Sequence, residues 1–402
     1  LFETTAGRYW SGASGRETIT AGPARLSSRP SGRGAPDVVP VVPSPSALSG
    51  GRDSLMRREL AFFAAGIALG SRAGALRRLF RRSPHEPGAV ETVVPADNGF
   101  RLGPLATGYV SLEGDGTRVI AEDRVHVVVE PQDVELPPEL REWREQERER
   151  LDGRTGGRTW NGLRFAVADV TIGRHGEAEE PELRLTLKHS EYVNFLATQQ
   201  LDRAFADGTT PRSRYLAGRS PADVPDFMSN SFGAHVAVVT ADDRVLLAKR
   251  SDTVAVQPGL WAASVSEGLA RGLDGEAPNP YDLARRGLHE ELALDAGEYD
   301  LELLSVGVAT TVHQWVGLFT ATLRTLTLQD LLDRLSRGST DPWENSAFEV
   351  VELTPQAVLG TLLREDRREK WISVAPPLLY FALVRRFGRA AVERHLAAAL
   401  RG

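Results

Sequence analysis

Between Phe232 and Leu294 the hydrophobic period changes from that of strands to that of a helix, and this change limits what the chain can fold into. Residues 234–240 (AHVAVVT) form an apolar run of strand length, Ala241-Asp242-Asp243 is a turn, and residues 244–250 (RVLLAKR) read as a second strand. Pro258-Gly259-Leu260-Trp261 marks another turn before a short β-like stretch at 262–266. Residues 280–294 carry leucines at 283, 288, 292 and 294, which predicts an amphipathic helix. Pro280 falls at or just before its first turn, where a missing N–H is tolerated. Strand-like segments follow at 301–308, 313–323 and 348–353, and residues 376–387 and 389–400 read as helices separated by the breaker Gly388.

Length and composition set the wider frame. At 402 residues the chain has room for two or three domains, and with 41% hydrophobic and 25% charged residues it has the composition of a globular protein. Lys+Arg is 48 and Asp+Glu is 54, a net charge of −6, so a dedicated nucleic-acid binder with a basic stripe is not expected. There is no cysteine, which excludes disulfides, thiolate metal sites and cysteine nucleophiles, so that any metal must be held by oxygen or histidine. Only Lys188, Lys249 and Lys370 are lysines; an arginine bias of this kind reflects coding composition more readily than arginine chemistry.

Four regions are expected. Residues 1–55, rich in Gly, Ser, Pro and Arg without helical or strand period, read as a disordered tail. The first methionine is Met56, and the expectation is that the natural start lies at or near it. Residues 56–83 read as a basic apolar helix whose apolar part, Leu60 to Gly70 (LAFFAAGIALG), is too short to span a bilayer; a helix packed on the body or left loose is expected ahead of contact with an anionic membrane surface. A cytoplasmic protein is expected. Residues 84–228 read as a separate α/β domain of unknown type, with strands at 118–120, 125–129, 160–172 and 183–187 and a helix within 189–206. The charged run at 139–151 (ELREWREQERERL) reads as a solvated helix or linker, and 207–226 as a linker. Residues 229–402 form the last region.

The chemistry concentrates in Arg286-Gly287-Leu288-His289-Glu290-Glu291-Leu292-Ala293-Leu294. On a helix Arg286 and Glu290 share a face, as do Gly287 and Glu291. Adjacent glutamates on a rigid support, without Cys or a His cluster, suit a hard ion such as Mg²⁺ or Mn²⁺. Read alone, an Arg–Glu pair on a helix is usually a solvated contact.

With its flanks, this stretch resembles the Nudix hydrolase superfamily, whose box runs Gly, five residues, Glu, seven residues, then Arg-Glu-apolar-x-Glu-Glu-x-Gly-apolar on a loop–helix–loop. Gly268 and Glu276 look like the first Gly and Glu, and Arg286, Leu288, Glu290, Glu291 and Leu294 fit the rest. Val245-Leu246-Leu247-Ala248-Lys249-Arg250 and Pro258-Gly259-Leu260-Trp261 look like the strand and turn that lead into it. The resemblance covers about residues 230–360. Three features depart from the pattern: both intervals around Glu276 are two residues longer, Ala293 stands for the last Gly, and Gly287 stands where the family has a glutamate.

The resemblance implies a C-terminal α/β/α sandwich and cleavage of a diphosphate linkage in a small phosphate-containing substrate, with Mg²⁺ or Mn²⁺ as cofactor. Glu290 and Glu291 would hold the metal, Arg286 would orient a glutamate, Glu276 would align that network, and Glu344 is the candidate for a further ligand or base. His289 is expected to be exposed, while His313 and Trp315 either line a pocket or belong to the core. The alternative is a catalytically impaired Nudix-fold sensor of a nucleotide or metabolite, suggested by Gly287 and the large preceding region. An isomerase that relies on a cysteine acid is disfavoured. The sequence leaves the oligomeric state open, with a homodimer as one expectation.

Overall fold

The computed structural model describes residues 99–155, 161–252, 254, 256–336 and 345–401. The expected tail and basic helix, including Leu60 to Gly70, lie outside the described residues. Among the described residues no helix is long and apolar enough to cross a membrane.

A two-strand hairpin, β1 (Arg101–Leu102) and β2 (Leu105–Ala106), precedes β3 (Tyr109–Glu113). Next come β4 (Val125–Asp133), helix α1 (Pro138–Thr155), β5 (Leu163–His175), β6 (Glu180–Glu191) and helix α2 (Tyr192–Thr198). Strands β4, β6 and β5 form a three-stranded sheet, parallel between β4 and β6 and antiparallel between β6 and β5. The strand expected at 118–120 is absent: only Ile120 pairs, through one antiparallel bridge to Leu303. The expected helix at 189–206 is shorter, because residues up to Glu191 stay in β6. The charged run does form a helix, but one face is covered: Leu140 and Trp143 are buried, and Trp143 stacks on Phe205 with ring centres 4.7 Å apart.

The large sheet uses β7 (Phe232–Val239), β8 (Arg244–Arg250), β9 (Trp261–Ala262), β10 (Val265–Gly268), β11 (Tyr299–Ala309), β12 (Gln314–Leu323) and β13 (Asn345–Glu352). Between them lie the short helix α3 (Arg271–Asp274), α4 (Pro280–Leu292) and α5 (Leu328–Ser336). The chain closes with α6 (Pro355–Leu363), α7 (Ala375–Phe387) and α8 (Arg389–Ala399). The strand order is β13-β8-β7-β12-β11-β3, with β10 added to β7 and β9 to β8; β7 and β12 run parallel.

The period-2 alternation of these strands divides their side chains between two apolar layers. From β7, Ala237 and Val239 enter a layer filled by Leu359, Leu378 and Leu383 of α6 and α7 and by Val392 of α8. Ala234, Val236 and Val238 point the other way, into a layer with Leu283, Leu288 and Leu292 of α4. A mixed α/β architecture with helices on both faces of the sheet therefore holds, as expected.

The second layer also contains Phe165, Leu183, Leu185 and Leu187 of the small sheet. In addition, β3 pairs with β11 at the edge of the large sheet. The described residues form one compact unit, so the division expected at residue 228 crosses a shared core and a shared sheet.

Candidate functional site

Helix α4 begins where Asn279 caps it: the Asn279 side chain accepts a 2.8 Å hydrogen bond from the Tyr281 N–H, and Pro280 occupies the first turn. Its buried face, including Tyr281, Leu283, Leu288 and Leu292, fixes the helix on the sheet. It ends at Ala293, held at φ 54° and ψ 37° in the left-handed region where the family pattern has Gly. Strand β10 pairs with β7 as far as Gly268↔Gly233 and delivers the chain to the loop and α3 that lead into α4.

Arg286 organises this corner. Its Nε and Nη2 donate to Asp274 Oδ1 and Oδ2 at 3.2 and 3.1 Å, and Nη2 also donates to the Gly268 carbonyl at 3.1 Å. Its Nη1 lies 3.4 Å from Glu290 Oε2 and 3.2 Å from Glu267 Oε1. Burial alone would lower the affinity of the guanidinium for its proton, but Glu267, Asp274 and Glu290 outweigh it and hold the group above its ordinary value. Asp274 is fixed in turn by the Ala270 N–H at 2.7 Å. The Gly268 carbonyl has a second donor, Arg164 Nη1 of β5, at 3.0 Å. Burial pulls Arg164 below the usual guanidinium value, with the Glu267 charge opposing. The small sheet thus reaches the loop through the Arg164 guanidinium, beside an Arg164–Ala270 backbone bridge and His189 at 3.9 Å from Glu276.

Glu291 is buried and joins three elements: its Oε1 accepts from the Ser266 N–H of β10 at 2.9 Å and its Oε2 from Asn345 Nδ2 of β13 at 3.2 Å. Ser266 Oγ is 2.9 Å from His235 Nδ1. Burial, assisted by Arg250, drops His235 to about 3, so the ring is neutral near pH 7 and the neighbourhood of Glu291 gains no cation from it.

The structure sets Glu290 beside Arg286 and holds Glu291 against β10 and β13, while Glu276 stands elsewhere. Its side chain is 71% exposed and its nearest cation is Arg271 Nε at 3.3 Å. Asp274, 5% exposed, holds Arg286 in its place. The sequence carried this signal: Asp274 follows Gly268 with five residues between, the interval of the family box, so all the extra length lies between Asp274 and Arg286. Glu344 lies outside the described residues. His289 is exposed, as expected, and pairs with Asp295 at 3.3 Å. Trp315 is buried in the layer below α4, which makes it a core residue. His313 sits in the β11–β12 turn at φ 47°, and burial, assisted by Arg212, lowers it to about 4.

Glu267 was not among the expected residues. It stands directly before Gly268, and its stem lies against Gly287: a Cβ added to Gly287 would meet Glu267 Cβ at 2.9 Å and Val265 Cγ1 at 2.8 Å. The Gly268 N–H donates to Glu267 Oε1 at 2.8 Å.

Among the described residues no three His, Asp or Glu side chains stand close enough together to hold a metal ion. Mg²⁺ needs fewer, because one or two carboxylates commonly hold it while water and substrate phosphates complete the shell. Glu267 and Glu290 face the same guanidinium nitrogen, so two carboxylates share one locus, and their donors are oxygens. This donor set fits a hard dication.

No family model matches the chain. No curated protein matches it either. Among solved structures it is similar to a protein of Deinococcus radiodurans, at 15% identity and a TM-score of 0.29 over 40% of this chain and 84% of that one. It is similar to a mutT/nudix family protein from Listeria innocua at 18% identity and a TM-score of 0.27, over 42% of this chain and 98% of that one. A MutT protein from Methanosarcina mazei Go1 overlaps 42% of this chain and 93% of its own length, at 11% identity and a TM-score of 0.24. These overlaps are partial, and the case for function comes from the residues around Arg286.

Proposed function

We propose that this chain is a Nudix-type hydrolase that uses Mg²⁺, or Mn²⁺, to cleave a diphosphate linkage in a nucleoside-diphosphate derivative or related compound. The observation that carries this reading is the position of Arg286, which contacts Asp274, the Gly268 carbonyl, Glu290 and Glu267 from a single buried guanidinium. Charge-assisted bonds of this kind fix carboxylates in one orientation. Glu290 and Glu291 are the proposed holders of the metal. When bound, the metal would neutralise charge that develops on the phosphate oxygens and favour a nucleophilic hydroxide. Arg286 sets the orientation of Glu290, Asp274 sets that of Arg286, and Glu291 ties the helix to β10 and β13. Glu276 is left with no proposed role.

A turnover screen of the full chain tests this reading. Nucleoside-diphosphate sugars, dinucleoside polyphosphates, nicotinamide and flavin dinucleotides and oxidised nucleotides are supplied with Mg²⁺ or Mn²⁺, beside a Glu290→Gln, Glu291→Gln control. Turnover that disappears in the control is the expected result. Absence of turnover, together with a ligand-induced rise in melting temperature, would replace the hydrolase with the sensor suggested by Gly287.

A further inference from the structure

The family pattern places a glutamate directly after the arginine, and this chain has Gly287 there. The surrounding packing gives that glycine a reason. Helix α4 approaches β10 so closely at this point that the first atom of any side chain would collide with Val265 Cγ1 and Glu267 Cβ, and would lie 3.5 Å from Glu267 Cγ. The space in which a side chain of residue 287 would start is filled by the stem of Glu267. From there the Glu267 carboxylate reaches Arg286 Nη1 at 3.2 Å, the same nitrogen that has Glu290 Oε2 at 3.4 Å. Both bonds of Glu267 fall on Oε1, from the Gly268 N–H and from Arg286. Glycine also weakens a helix interior by about 1 kcal/mol relative to alanine, so a close approach of this kind is a reason for it to be there.

We propose that Glu267 supplies from strand β10 the metal-holding carboxylate that helix α4 lacks, and that Gly287 is the position that makes room for it. This assignment rests on the metal-dependent reading above, and it converts the departure at Gly287 from a lost function into a relocated one. Position 267 and position 287 are then mutually exclusive: a carboxylate enters the site from the strand or from the helix, but both stems do not fit. Glu267 and Glu290 then present two carboxylates at one guanidinium nitrogen, Arg286 Nη1.

The test uses the full chain with Mn²⁺ alone as probe, following free Mn²⁺ by electron paramagnetic resonance and stability by thermal melting. Glu267→Gln keeps the shape and the bond from the Gly268 N–H while removing the charge. It is expected to weaken Mn²⁺ binding by about 10–100-fold with the melting temperature within about 3 °C of the parent. Gly287→Glu alone is expected to melt lower, through the collisions with Glu267 and Val265. Glu267→Gly with Gly287→Glu exchanges the two positions, and is expected to melt higher than Gly287→Glu alone and to bind Mn²⁺ within about threefold of the parent.

Binding of Mn²⁺ by Glu267→Gln as tight as the parent's would overturn the proposal, as would a parent that binds no Mn²⁺. If the exchanged protein does not fold, Glu267→Gln decides alone. A parent that binds Mn²⁺ through Glu267 but turns over nothing in the screen would remove the hydrolase reading and leave this assignment standing.

Discussion

At the scale of single residues, the acid that holds Arg286 decides how the loop is fixed to α4. Asp274 is buried and takes two guanidinium nitrogens, whereas Glu276 is exposed and pairs with Arg271. Asp274→Asn is therefore expected to cost about 1–3 kcal/mol in urea unfolding, the range for hydrogen bonds to charged groups, and to lower turnover with it. Glu276→Gln should stay within about 0.5 kcal/mol of the parent and keep its turnover, as a surface change does. Equal losses in both variants would show that the loop holds Arg286 in another way. Asp274 was legible in the sequence, since its interval from Gly268 matches the family box with an aspartate in place of the glutamate. Glu267 was less legible. Nothing in the one-dimensional pattern says that a side chain at the end of β10 will occupy the space beside residue 287, because that contact is made only when α4 lies on the sheet.

At the scale of elements, α4 was the most readable part of the chain because leucine spacing and a first-turn proline agree. Strand β10 runs two residues past the β-like stretch that ends at Ser266, since Glu267 and Gly268 have little strand preference of their own and are held there by pairing with β7. The charged helix α1 shows the opposite error: its composition hid the buried face of Leu140 and Trp143. The end of α4 supplies a prediction about helix geometry. Ala293 carries a left-handed backbone that a Cβ disfavours, so Ala293→Gly is expected to stabilise the protein by about 1 kcal/mol in urea unfolding without altering turnover. A loss of stability would mean that the cost of glycine in the unfolded chain exceeds the strain relieved in the helix cap.

At the scale of the whole molecule, the resemblance in the sequence ends near residue 230, yet packing does not. Tyr109, Phe165, Leu183, Leu185 and Leu187 are fully buried, the last four in the layer that supports α4, and Arg164 reaches the Gly268 carbonyl from β5. Five such side chains contribute about 10 kcal/mol at about 1.5–3 kcal/mol each, comparable to the net stability of a typical domain. A fragment of residues 229–402 is thus expected to lack a cooperative thermal transition, whereas residues 89–402 should show one; a sharp transition in the shorter fragment would make the C-terminal region an independent domain. That dependence was invisible to sequence reading, because contacts between segments a hundred residues apart leave no local pattern. The most direct measurement of the central claim is phosphate release by the full chain over the diphosphate panel with Mn²⁺, beside the Glu290→Gln, Glu291→Gln protein. Turnover is expected in the parent and none in the control. Equal turnover in both would show that Glu290 and Glu291 are not the seat of the chemistry.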